Sequence, residues 1–144
     1  MKMIWLDMDG TIADLYSVDS WLNMIRSEDA RPYAMARPLV NMAVLAVLLN
    51  QKKKQGYGVG IVSAMPKDSN PLFDARIIKA KLDWLGRYLP TVKWDAIEFT
   101  AYADIKNMVN QGEDILFDDE IRHLNAWTGT AYNACDLLNV LALP

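Results

Sequence analysis

Two carboxylates one residue apart close an apolar run near the start of the chain, in Trp5-Leu6-Asp7-Met8-Asp9-Gly10-Thr11-Ile12. Further on, Ser63 ends Val59-Gly60-Ile61-Val62, and a second acidic pair, Asp118-Asp119, ends Ile115-Leu116-Phe117. Carboxylates brought within a few ångströms of one another cannot all stay ionised without a cation. A hard, oxygen-preferring ion meets that need, and Mg²⁺ takes one or two carboxylates together with backbone oxygens and water. Such a site attracts phosphate esters. A carboxylate held beside a phosphoryl group can attack it and pass through an aspartyl phosphate. A second carboxylate, re-aimed by the turn at Gly10, can protonate the leaving oxygen and later deprotonate water. Charge developing on the transferred group needs donors, a hydroxyl such as Ser63 and an ammonium such as Lys106.

These residues need elements that bring them to one place. Met3 to Leu6 is a short apolar run stopped by a turn signal and predicts a buried strand. Further strands are expected over 58–62, 96–100, 115–117 and 130–132. Helices are expected over 39–55, over 71–89 with Leu72, Ile77, Ile78, Leu82, Leu85 and Leu89 on or near one face, over 104–109 and over 122–127. Residues 136–141 close the chain. Lys52, Lys53 and Lys54 fall in the last turn of the 39–55 helix, where cations complement the helix dipole, and Gly56 stops it. Strands without clear alternation, interleaved with helices, predict an α/β fold: a mainly parallel five-stranded sheet covered on both faces. In such sheets function collects at the carboxyl ends of the strands. Neighbouring strands lie about 4.8 Å apart, so Asp7, Ser63 and Asp118 can converge there.

The bulk properties fit one domain. The 144 residues are 52% hydrophobic and 23% charged, with a formal net charge of −3, so no broad basic footprint for duplex nucleic acid is expected. A single cysteine, Cys135, forms no internal disulfide. It is expected to be a small buried hydrophobe. With no signal peptide or membrane-length apolar run, a cytoplasmic location is expected. His123, the one histidine, reads as a surface or structural residue, and Trp84 and Trp127 read as core.

Asp7-Met8-Asp9-Gly10-Thr11, in its setting of apolar strand and apolar continuation, resembles the first motif of the haloacid dehalogenase-like phosphohydrolases. Ser63 at the end of its strand resembles their second motif. Lys106, a short helix ahead of the strand that ends in Asp118-Asp119, resembles the third, and that acidic pair the fourth. The four come in the family's order and span nearly the whole chain. Lys67, Lys79, Lys81 and Lys93 lie in the same interval as Lys106. Within the family the chain looks most like the 5′(3′)-deoxyribonucleotidases and their phage and bacterial relatives. The stretches that carry this are Ile12-Ala13-Asp14, Ser63-Ala64-Met65-Pro66-Lys67, Lys81-Leu82-Asp83-Trp84-Leu85 and Ile115-Leu116-Phe117-Asp118-Asp119.

The resemblance implies a single Rossmann-like, three-layer α/β/α domain over 1–144, with a minimal cap or lid at about 14–38. It implies a Mg²⁺-dependent phosphomonoesterase acting on a nucleotide or another small phosphate ester. Asp7 would be nucleophile and metal ligand. Asp9 would be the acid/base and lend its backbone carbonyl to the metal. Thr11, Ser63, Ala64, Lys67 and Lys106 would serve the phosphate, and Asp118 and Asp119 the metal. Tyr16, Trp21 and Tyr33 would form a small lid. A short cap leaves the site open, so a nucleic-acid 3′-phosphate is the alternative substrate, with Lys67, Lys79 and Lys81 as its cationic contacts. A catalytically silent phosphate- or metal-binding module is the other alternative. An oligomer is not indicated. A calcium loop is disfavoured because its glycine belongs at position six of the loop, whereas Gly10 is fourth counting from Asp7. A receiver domain is disfavoured because its acidic pair follows the first strand rather than the fourth.

Overall fold

Met3–Leu6 (β1) is buried along its whole length, as an apolar strand covered on both faces must be. The computed structural model describes residues Met1–Pro144. Four more strands complete a parallel sheet with it: Gly58–Ala64 (numbered β4), Ala96–Thr100 (β5), Ile115–Asp118 (β6) and Thr130–Asn133 (β7), in the order β5-β4-β1-β6-β7. The numbers β2 and β3 belong to a two-stranded antiparallel ribbon, Ala13–Asp14 with Arg37–Pro38, outside the main sheet. Register decides what the sheet edge carries. Leu6 pairs with Ile61 on one side and Phe117 on the other, so the residues that follow, Asp7, Ser63 and Asp118, emerge at one rim. The ladder runs on through the Asp7 N–H, which donates to the Phe117 carbonyl at 3.0 Å.

Residues 15–36 hold a 3₁₀ turn at Leu15–Ser17 and two short helices, Trp21–Arg26 (α1) and Arg31–Met35 (α2), bracketed by the ribbon. The sequence announced neither the ribbon nor α2, because each is too short to show a period, whereas Trp21, Leu22 and Ile25 stand at helical spacing and lie on α1. Met42–Lys54 (α3) begins at Met42 rather than at residue 39. The Asn41 side chain accepts from the Val44 N–H at 3.1 Å as N-cap, while the Leu39 N–H is committed to the Ile12 carbonyl at 2.9 Å.

Pro71–Tyr88 (α4) is capped in the same way by Asn70. Its buried face differs from the expected one. Phe73, Ile77, Lys81, Trp84 and Leu85 point inward, while Leu72 and Leu82 are exposed. Lysine thus sits in the middle of a buried helical stripe. Ile121–Ala126 (α5) and Leu137–Leu141 (α6) complete the layers.

Two other expectations change. Cys135 is exposed, because it lies in the 3₁₀ turn Ala134–Asp136 at the end of the edge strand β7. Lys52 does more than complement a helix dipole: it is buried and its Nζ donates to the Leu143 carbonyl at 2.8 Å. Trp84 and Trp127 are core residues, as read from their context. The main core covers one face of the sheet around Ile4, Leu6, Val59, Ile61 and Phe117, packed by Leu45, Leu49, Trp84 and Leu85, while Met3, Trp5, Val62, Leu116 and Trp127 form a separate core on the other face. No helix is long and apolar enough to cross a membrane.

Candidate active site

Asp7 leaves β1 at the sheet's rim and is almost fully buried. Its Oδ2 accepts from the Thr11 hydroxyl at 2.8 Å, and its Oδ1 from Lys106 Nζ at 2.6 Å. The turn that brings Thr11 back to Asp7 depends on Gly10. Its φ is +85°, and a Cβ there would overlap Asp119 Oδ2. Asp118, the last residue of β6, is also buried. Its Oδ2 accepts from Lys106 Nζ at 2.8 Å and its Oδ1 from the Glu120 N–H at 2.9 Å. One ammonium thus bridges two carboxylates from adjacent strands.

Lys106 itself opens the 3₁₀ turn Lys106–Val109, and its backbone N–H donates to His123 Nδ1 at 3.2 Å. His123 is fully buried, so it is structural rather than a surface residue. Burial and the nearby Lys106 charge hold its ring below the ordinary histidine range, and neutral Nδ1 can accept that bond.

Carboxylate oxygens of Asp7, Asp118 and Asp119 lie within 4.8 Å of one another. The electrostatic cost of that grouping is visible in the acids themselves. Burial and the Asp7 charge push Asp118 up to about 6, against the pull of Lys106. Burial, a hydrogen bond to Asp7 and the Asp7 charge push Asp119 up to about 8. For Lys106, burial works against the ammonium, but Asp7 and Asp118 outweigh it and raise its pKa well above the ordinary lysine range.

The donor set fits a hard divalent cation. It is all oxygen, and its 4.8 Å span is close to the width of an octahedral Mg²⁺ shell, about 4.2 Å between opposite ligands. The Asp9 carboxylate is not in this group. That side chain turns away to Lys81, whose Nζ lies 3.1 Å from Asp9 Oδ2.

Lys81 is a functional candidate that the sequence pointed to only as a cationic contact for a nucleic-acid end. It is 1% exposed, and its Nζ donates to Ser63 Oγ at 2.6 Å and the Ala64 carbonyl at 3.1 Å as well as to Asp9. Its place among Phe73, Ile77, Trp84 and Leu85 on the buried stripe of α4 was the available signal: a lysine at helical spacing from apolar neighbours. Ser63 is fully buried at the end of β4. Burial raises Asp9 above the ordinary carboxylate range. Lys81 opposes that shift and the Asp7 charge adds to it.

A cleft of about 960 Å³ opens over these groups. Asp7, Asp9, Ala64, Lys67, Lys106 and Asp119 line it. The 15–36 segment adds Tyr16, Trp21 and Tyr33, and α4 adds Phe73. Tyr16 and Trp21 pack edge to face with centroids 5.0 Å apart. Lys67 is exposed on the loop after β4. Lys79, exposed, pairs with Asp83 at 2.7 Å and does not line the cleft.

Solved structures share this fold. A D,D-heptose 1,7-bisphosphate phosphatase from Burkholderia thailandensis is 14% identical with a TM-score of 0.56, over 99% of this chain and 100% of that one. A second, from B. bronchiseptica and complexed with magnesium and phosphate, is 19% identical with a TM-score of 0.62, over 100% of this chain and 89% of that one. No family model matches the chain, and no curated protein sequence matches it. At these identities the likeness concerns the fold: the chain shares the α/β fold of these phosphatases, with a mainly parallel five-stranded sheet flanked by helices.

Proposed function

We propose that the chain is a Mg²⁺-dependent phosphomonoesterase that works through an aspartyl phosphate on Asp7. The observation that carries this reading is the convergence of Asp7, Asp118 and Asp119 on one rim, with Lys106 bridging the first two. A neighbour of the same fold complexed with magnesium and phosphate supports it. Asp7, Asp118 and Asp119, with the Asp9 backbone carbonyl, would hold the ion, which would neutralise phosphate charge.

The chain's own residues do the rest. Lys106, the Ser63 hydroxyl and the strand end at Ala64 meet the phosphate, Thr11 fixes Asp7, and Lys67 reaches the outer part of the substrate. Asp7 attacks phosphorus. As the bond to the ester oxygen breaks, Asp9 gives that oxygen its proton. Asp9 then takes a proton from water, the water oxygen bonds to phosphorus, and the bond to Asp7 breaks. Burial and the Asp7 charge raise Asp9 above the ordinary carboxylate range, against the pull of Lys81, which is the direction a proton donor needs.

The substrate we favour is a nucleotide, because the exposed Tyr16 and the half-buried Trp21 line the cleft beside the acids. The 14–38 segment would act as its lid. For a nucleic-acid end the proposed cationic contacts were Lys67, Lys79 and Lys81. Lys81 is buried and Lys79 is paired outside the cleft, which leaves only Lys67.

The test is phosphate release from a panel of nucleoside monophosphates, sugar phosphates and 3′-phosphorylated oligonucleotides. With Mg²⁺, turnover is expected to be fastest on a nucleoside monophosphate and absent in EDTA. Asp7→Asn is expected to stay folded and lose at least about 10⁴-fold in kcat. Turnover by Asp7→Asn near the wild-type rate would remove the nucleophile assignment. Metal-dependent stabilisation without any turnover would make the chain a binding module.

A further inference from the structure

We infer that Lys81 is the positioning residue for Asp9: by engaging Oδ2 it leaves Oδ1 as the oxygen that exchanges a proton with the leaving group. The inference rests on the phosphatase reading above. Lys81 Nζ has three protons and three acceptors, Asp9 Oδ2, Ser63 Oγ and the Ala64 carbonyl. Its donors are therefore all engaged. The side chain is 1% exposed, and the Tyr33 ring lies 4.9 Å from the ammonium on the cap side. It has no free donor to bind phosphate, so its work is done through the residues it holds.

A buried lysine is not needed to pack α4. An apolar side chain of like volume in such a stripe is often at least as stabilising as a buried ion pair. What an apolar residue cannot do is hold Asp9. No other side chain hydrogen-bonds to that carboxylate, whereas Asp7 is held by both Thr11 and Lys106. Lys81 also ties the turn after β1 to the end of β4, so it sets the separation of the acid from the phosphate-binding hydroxyl of Ser63. With Oδ2 held by the ammonium, the proton that passes to the leaving oxygen sits on Oδ1. It returns there from water when the aspartyl phosphate is hydrolysed.

The dependence on leaving group tests this, because only a poor leaving group needs a proton. Wild type, Lys81→Met and Lys81→Arg are compared in single turnover with Mg²⁺. The substrates are 2,4-dinitrophenyl phosphate and the alkyl phosphate that wild type cleaves fastest. Lys81→Met is expected to slow the alkyl phosphate by about 100-fold and the aryl phosphate by less than about threefold. Lys81→Arg, which keeps the charge, is expected to recover at least about tenfold of the alkyl loss. The double variant Asp9→Asn/Lys81→Met is expected to be no slower on the alkyl phosphate than Asp9→Asn alone.

Equal losses on both substrates, or losses that add to those of Asp9→Asn, would overturn the assignment. If Lys81→Met does not fold, Lys81→Gln takes its place in the same comparison. Wild-type protein that cleaves neither substrate overturns the phosphatase reading and this role together. Wild-type cleavage of both, with equal loss in the variant, overturns only the role of Lys81.

Discussion

Two lysines divide the acids of this site. Lys106 takes Asp7 and Asp118, and Lys81 takes Asp9. Each ammonium is buried and pays for its desolvation through its partners. Between them, Gly10 lets the chain reverse so that Asp119 can approach. Gly10→Ala is expected to cost about 1–3 kcal/mol, since a side chain at a left-handed φ is strained and its Cβ would displace Asp119. The same substitution should weaken Mg²⁺ binding. Urea melts with and without Mg²⁺ read both effects, and an unchanged metal-induced shift would show that Asp119 is not a ligand. Of the residues read as candidates, Asp7, Thr11, Lys106, Asp118 and Asp119 meet directly. Asp9 and Ser63 are joined to each other through Lys81, while Ala64 and Lys67 line the cleft.

At the scale of elements, α4 joins the chemistry to the segment above it. It presents Lys81 to the site and, one turn later, Trp84 to that segment, where the indole N–H donates to the Ala36 carbonyl at 2.8 Å. Trp84→Phe keeps the ring but leaves that carbonyl without its donor in a buried setting. A loss of about 1–3 kcal/mol is expected, with faster proteolysis inside residues 15–36. A melt within 0.5 kcal/mol of wild type, by the usual scale for neutral surface changes of about that size, would show that the indole bond does not anchor the segment. The strands were legible as short apolar runs bounded by turn signals, and α4 because its apolar run is long enough to carry a period. The 3₁₀ turn bearing Lys106 was legible only as a short helix. The ribbon of β2 and β3 was not read at all, because two-residue strands carry no alternation.

For the molecule as a whole, the acid cluster links metal, proton and stability. Asp118 at about 6 and Asp119 at about 8 both stand above the ordinary value of 3.8. The folded chain therefore holds protons that the unfolded chain has released. That contribution to stability is complete below about pH 4 and is lost as pH rises through about 6 and then about 8. Metal-free protein is accordingly expected to lose Tm steadily from pH 5 to pH 9. Saturating Mg²⁺ should raise Tm more at pH 8 than at pH 5 and flatten the slope. Calorimetry in EDTA and in Mg²⁺ checks this, and a flat metal-free profile would mean that the acids are not crowded as described.

The linear order of residues determined the strands, the parallel sheet and the four acids at strand ends. Short apolar runs have few ways to be buried, and a carboxylate directly after a buried strand has only the rim to occupy. Register and packing decided the rest. Whether Lys67, Lys79, Lys81 or Lys106 reaches the acids depends on which helix face turns inward, and that is settled by the shape of the sheet beneath. Lys81 lies eighteen residues from Ser63 and seventy-two from Asp9, and only the docking of α4 puts one ammonium within hydrogen-bond reach of both.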